Sequence, residues 1–244
     1  QIESLVNLYN QGQHEHVLKQ AELLLKQFPN SSVLYNICGA GYKGLGRLDA
    51  AIEAYNNQIT IQPDHAKAHF NVGNALQENG KSTEAINAYS KAIEIKPDYA
   101  EAYNNIGVSL HGQGKLDEAI DTYHQAVLIR PDIASAHFNM ANALQEQGRL
   151  KEAIDAYTTA LFIKPDYASA FYNMGNAFQE QGELEKAIEA YKKALSIQPV
   201  FSKALYNMGT TLQGQGKLED AIEAFNEALV ISPDYAEAWN NMGS

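Results

Sequence analysis

Residues 66–99 read AKAHFNVGNALQENGKSTEAINAYSKAIEIKPDY. His69, Val72, Gly73 and Leu76 recur at i, i+3, i+4, i+7, the spacing of one face of an α-helix. Gly80 then interrupts the pattern, as a residue able to take positive φ at a helix C-terminus. A second stripe follows: Ala85, Ile86, Tyr89, Ala92 and Ile93. Pro97 closes the stretch, where a helix cannot continue. The spacing predicts a helix A over roughly 65–78 and a helix B over roughly 82–95. Asp64, just after Pro63, is expected to be the N-cap of helix A. Small residues at Gly73, Ala85 and Ala92 predict a close approach of the two helices.

The same stretch recurs along the chain. The seven prolines are Pro29, Pro63, Pro97, Pro131, Pro165, Pro199 and Pro233, every successive pair 34 residues apart. A fixed period of this length signals stacked copies of one supersecondary unit. We therefore number each slot by its distance after the preceding proline. Slot 10 holds Gly39, Gly73, Gly107, Ala141, Gly175, Gly209 and Gly243; slot 17 holds Gly46, Gly80, Gly114, Gly148, Gly182 and Gly216. Slot 22 is alanine from Ala51 to Ala221, followed each time by isoleucine. Slot 26 holds Tyr55, Tyr89, Tyr123, Tyr157, Tyr191 and Phe225.

These signposts resemble the tetratricopeptide repeat family over essentially the whole chain. The resemblance implies an all-α fold, a right-handed superhelical solenoid of stacked antiparallel helix pairs, with helix A lining a concave groove. It implies six complete units, 32–65, 66–99, 100–133, 134–167, 168–201 and 202–235. A degenerate, truncated unit is expected over 1–31, where Val17, Ala21 and Leu24 replace the usual signposts, and a first-helix stub over 236–244. Because the chain opens on Gln1 and stops inside a helix A, it is expected to be a fragment whose uncovered ends associate with another copy.

Composition narrows the function. With 18 basic against 29 acidic side chains the net charge is −11, which disfavours nucleic acid and anionic lipid as partners. A single cysteine excludes an internal disulfide. No apolar run reaches the roughly 20 residues of a membrane span, and no signal peptide opens the chain, so a cytoplasmic setting is expected. Neither a cofactor nor a metal site is expected: no phosphate-cradling glycine loop, serine elbow, HExxH or CxxC motif is present. The chain is expected not to be an enzyme by itself. The methionines at slot 9 (Met140, Met174, Met208, Met242) share that slot with Cys38, Val72 and Ile106 and read as core, as do His69 and His137 at slot 6.

The opposite face of helix A is unusual. Slot 8 holds Asn71, Asn105, Asn139, Asn173, Asn207 and Asn241, with Ile37 breaking the series. Slot 11 adds Asn74, Asn142 and Asn176; slot 14 adds Gln77, Gln145, Gln179 and Gln213; slot 7 holds Phe70, Phe138, Tyr172 and Tyr206. A carboxamide donates and accepts at once, so a row of them can pair with the backbone of an extended peptide, and the rings add apolar contact. The slot-8 series is similar to the asparagine ladder in the repeat region of O-linked N-acetylglucosamine transferase. Two roles stay open for these asparagines: contacting a ligand, or bonding the neighbouring unit. The favoured function is a scaffold binding a protein or peptide segment in this groove. The alternatives are the substrate-recognition arm of a larger glycosyl- or sulfotransferase, and a self-assembly module. Slot 7 carries no lysine, which disfavours the carboxylate clamp by which some family members hold chaperone tails.

Overall fold

The computed structural model describes residues 2–242 and contains, within them, fifteen α-helices and no strand. They fall into two compact bodies, Gln1–Ile129 and Arg130–Ser244. The first holds α1 (Ile2–Asn10), α2 (His14–Gln27), α3 (Ser32–Gly44), α4 (Leu48–Ile61), α5 (Ala66–Glu78), α6 (Ser82–Ile95), α7 (Ala100–Gly112) and α8 (Leu116–Ile129). The second holds α9 (Ala134–Glu146), α10 (Leu150–Ile163), α11 (Ala168–Glu180), α12 (Leu184–Ile197), α13 (Ser202–Gly214), α14 (Leu218–Ile231) and α15 (Ala236–Met242). In each body consecutive helices pack as pairs, α3 on α4 and α9 on α10, and each helix B also packs on the next helix A, α4 on α5 and α10 on α11. That nearest-neighbour pattern defines a solenoid.

The pairing rests on a close approach. A Cβ placed on Gly73 would lie 2.5 Å from Tyr89 Cε1, and the same holds for Gly175 against Tyr191 at 2.6 Å. Bare backbone on helix A thus lets the slot-26 ring of helix B lie flat against it. Tyr89, Tyr123 and Tyr191, which face Gly73, Gly107 and Gly175, are completely buried. In the unit 134–167 the same place is taken by Ala141, so this pair accommodates one methyl group. Between the helices, Gly80 adopts φ +74° and closes a Schellman motif: Lys81 N–H donates to Leu76 C=O at 2.9 Å, and Gly80 N–H to Gln77 C=O at 3.0 Å.

Helix A starts differently from expectation. His65, not Asp64, occupies the N-cap of α5, and no side chain caps it. The turn is closed by backbone, His65 N–H to Gln62 C=O and Ala68 N–H to His65 C=O. Slot 6 contributes the side-chain tie instead. His69 Nε2 donates to the Pro63 carbonyl at 2.9 Å and His137 Nε2 to that of Pro131 at 2.9 Å; Trp239 Nε1 does the same to Pro233 at 3.0 Å. These rings are structural clips on the proline turn.

The opening segment builds its own core from Leu5, Val17, Leu18 and Ala21 against Leu34, Ile37, Cys38 and Ala54. Burial pushes the Cys38 thiol up to about 11, which leaves it a protonated apolar filler. Met208 packs on the cluster Ile188, Leu212, Ala221, Ala224 and Phe225, as expected for slot 9; the side chain of Met242 lies outside the described residues.

The glycine contact predicts a graded mutational series. Gly175→Leu should destabilise by about 1–3 kcal/mol through overpacking against Tyr191. Ala141→Gly should cost about 0.5–1 kcal/mol from helix propensity alone. Urea unfolding followed by circular dichroism checks both; a neutral Gly175→Leu would contradict the packing.

Candidate peptide-binding face

Tyr89, Tyr157 and Tyr191 are buried slot-26 rings whose hydroxyls still need partners, and helix A supplies them. Tyr157 Oη lies 2.6 Å from Asn142 Oδ1 and 2.9 Å from Gln145 Oε1, with one proton to share. Tyr191 reaches Asn176 and Gln179 at 2.8 Å each, and Tyr89 reaches Asn74 at 2.9 Å and Gln77 at 2.7 Å. The next unit completes the relay. Asn105 Nδ2 donates to Asn74 Oδ1 at 2.9 Å, Asn173 Nδ2 to Asn142 Oδ1 at 2.8 Å, and Asn207 Nδ2 to Asn176 Oδ1 at 2.8 Å. Slots 8, 11 and 14 are therefore tied together across neighbouring repeats. Where slot 11 lacks an amide, slot 7 stands in: Asn71 Nδ2 donates to Asn36 Oδ1 and Asn241 Nδ2 to Tyr206 Oη, both at 3.1 Å. Asn139 sits half-buried at the same place on α9.

This geometry orients what remains. The Oδ1 atoms of Asn142 and Asn176 each accept two bonds and are saturated. The Nδ2 groups of Asn142 and Asn176, and the Oδ1 atoms of Asn173 and Asn207, make no bond among the described residues. The Asn142–Asn173 and Asn176–Asn207 steps of the second body thus each leave one donor beside one acceptor.

The slot-7 rings form the wall beside this row. Phe138 packs against Tyr157 and Tyr167, with centroids 6.0 and 4.8 Å away; Tyr172 against Tyr191 and Phe201, at 6.1 and 4.9 Å; Tyr206 against Phe225 and Tyr235, at 5.8 and 4.9 Å. In the first body Phe70 stacks likewise between Tyr89 and Tyr99, at 5.5 and 4.8 Å. Lys96 and Lys164 cover Tyr99 and Tyr167 at 5.0 and 4.7 Å, within cation–π range. The slot-2 rings Tyr99, Tyr167, Phe201 and Tyr235 are lining partners that helical periodicity did not reveal. Their signal is a pairing: an aromatic slot 7 is followed 29 residues later by an aromatic slot 2, whereas Asn36 and Asn104 are followed by His65 and Ile133.

With this geometry described, the family can be assigned. A tetratricopeptide repeat model matches residues 42–80, 73–114, 109–148, 141–182 and 214–244, and two further models of the same description match 168–201 and 190–223. The chain belongs to the tetratricopeptide repeat family. No curated protein sequence matches it. Among solved structures, MamA is 30% identical, covering 68% of this chain and 97% of its own, with a TM-score of 0.64. YrrB, described as a tetratricopeptide repeat protein with an unusual peptide-binding site, is 22% identical over 79% of this chain and 100% of its own, with a TM-score of 0.68. The C-terminal part of a repeat protein from Cytophaga hutchinsonii reaches a TM-score of 0.79 at 16% identity, covering 98% of both chains. The last two likenesses concern the fold alone. Among the described residues of this tetratricopeptide repeat chain, no group of three or more His, Cys, Asp or Glu side chains could hold a metal, and no helix is long and apolar enough to cross a membrane.

Burial, more than any other cause, holds the hydroxyls of Tyr89, Tyr157 and Tyr191 well above the usual phenol range; the amide bonds from Asn105, Asn173 and Asn207 act in the opposite sense. A raised folded value favours the neutral phenol, so this stability is complete below the unfolded value of about 10 and is lost as pH rises through and above it. The urea midpoint should stay level between about pH 7 and 9 and fall above about pH 10. The fall should be smaller in Tyr157→Phe/Tyr191→Phe. At neutral pH, Asn173→Ala should cost about 1–3 kcal/mol by stripping a partner from the relay.

Proposed function

We propose that this chain is a protein-interaction scaffold that binds an extended segment of a partner along its helix-A faces. The observation that carries the reading is the donor–acceptor pair left at two inter-repeat steps of the second body, Asn142 Nδ2 beside Asn173 Oδ1 and Asn176 Nδ2 beside Asn207 Oδ1. A peptide strand presents C=O and N–H groups, which such pairs match without regard to side chain. The binding residues are Asn139, Asn142, Asn173, Asn176 and Asn207 with Phe138, Tyr172, Tyr206, Gln145 and Gln179 on the second body. On the first they are Asn71, Asn74, Asn105, Phe70 and Gln77. The relay has a second effect: amides already held in place lose little freedom when a ligand arrives. YrrB's described peptide-binding site supports a peptide as ligand class.

The face can be tested by site-specific photo-crosslinking. A peptide selected from a library against the chain should crosslink to a benzophenone side chain placed at position 172. It should not crosslink to one at Phe162, which is 86% exposed on helix α10. Crosslinking at 162 alone, or a library that yields no binder, would overturn the reading.

A further inference from the structure

The two bodies differ in how charge meets the helix-A face. In the first, Glu78 at slot 15 is neutralised by Lys43 Nζ at 2.7 Å. In the second, slot 15 holds Glu146 and Glu180, and Glu180 accepts from the neutral Gln145 Nε2 at 2.6 Å, with no cation paired to it among the described residues. It belongs to the same face as the relay: Gln145 also touches the Tyr157 hydroxyl, and the Glu180 charge helps hold the Tyr157 and Tyr191 hydroxyls up. Across α9, α11 and α13 the only lysine or arginine is Lys203, at slot 4, eleven residues and about three turns from slot 15.

The rings differ in the same direction. Slot 7 is aromatic in one repeat of three in the first body (Asn36, Phe70, Asn104) and in all three of the second (Phe138, Tyr172, Tyr206). Each of those three is half-buried beside two neighbouring rings, with part of its surface still accessible. Aromatic faces attract cations as well as apolar groups.

We propose that the helix-A face of the second body selects an extended partner segment carrying lysine or arginine between apolar side chains. The cation is set at Glu180 and the apolar groups lie against Phe138, Tyr172 and Tyr206. This rests on the peptide-binding reading and specifies its ligand.

The test uses the full chain and three sets of dye-labelled peptides of identical apolar sequence, with arginine, glutamine or glutamate at the same positions, followed by fluorescence anisotropy. At low salt the arginine set should bind about three- to tenfold more tightly than the glutamine set, a margin that shrinks in high salt. Glu180→Gln keeps an acceptor for Gln145; it should remove the arginine margin and leave glutamine-peptide affinity unchanged. Glu78→Gln, whose carboxylate is already paired, should leave the margin intact. If glutamine or glutamate peptides bind as tightly as arginine peptides, or Glu180→Gln keeps the margin, this inference is overturned while peptide binding stands. If no set binds, both are overturned.

Discussion

Three buried phenols, Tyr89, Tyr157 and Tyr191, pair their hydroxyls with helix-A amides, and the amide face of their repeats follows from that pairing. Glycine at slot 10 draws the slot-26 ring into full burial, where an unsatisfied hydroxyl would cost about 1–3 kcal/mol. The hydroxyl is met by amides about one turn apart on helix A, at slots 11 and 14. The slot-11 oxygen has a second lone pair, and the next repeat's slot-8 asparagine fills it. One buried proton thus sets three polar side chains across two repeats.

Much of the fold was legible because it is periodic. The prolines at 34-residue intervals and the slot-17 glycines located every helix pair, and Gly80 closes its helix in the conformation its position implied. Asp64 misled because the Pro-Asp turn is closed by backbone bonds, which leave no trace in residue type. The candidate face was legible as composition but not as connectivity. A helical wheel puts slots 7, 8 and 11 on one face, yet it cannot show that Asn173 bonds Asn142 in the preceding repeat, because strict repetition makes contacts within and between units look alike. What breaks the repetition is informative: slots 7 and 2 change together.

The two roles open to the asparagines are compatible. A carboxamide has a donor end and an acceptor end, and in Asn142, Asn173, Asn176 and Asn207 the relay uses one end and leaves the other unbonded among the described residues. On the proposed reading, rigidity and recognition come from the same side chain. Substituting it changes both at once, so loss of binding in an asparagine variant does not by itself separate them.

Altering the ligand instead leaves the scaffold untouched. The most direct measurement is an ester scan of a bound peptide, in which single backbone amides are replaced in turn by esters that lack the N–H donor. If the asparagine row reads backbone, affinity for this chain should drop several-fold at a few regularly spaced positions and hold steady between them. A flat scan, with all sensitivity residing in side-chain substitutions, would contradict it.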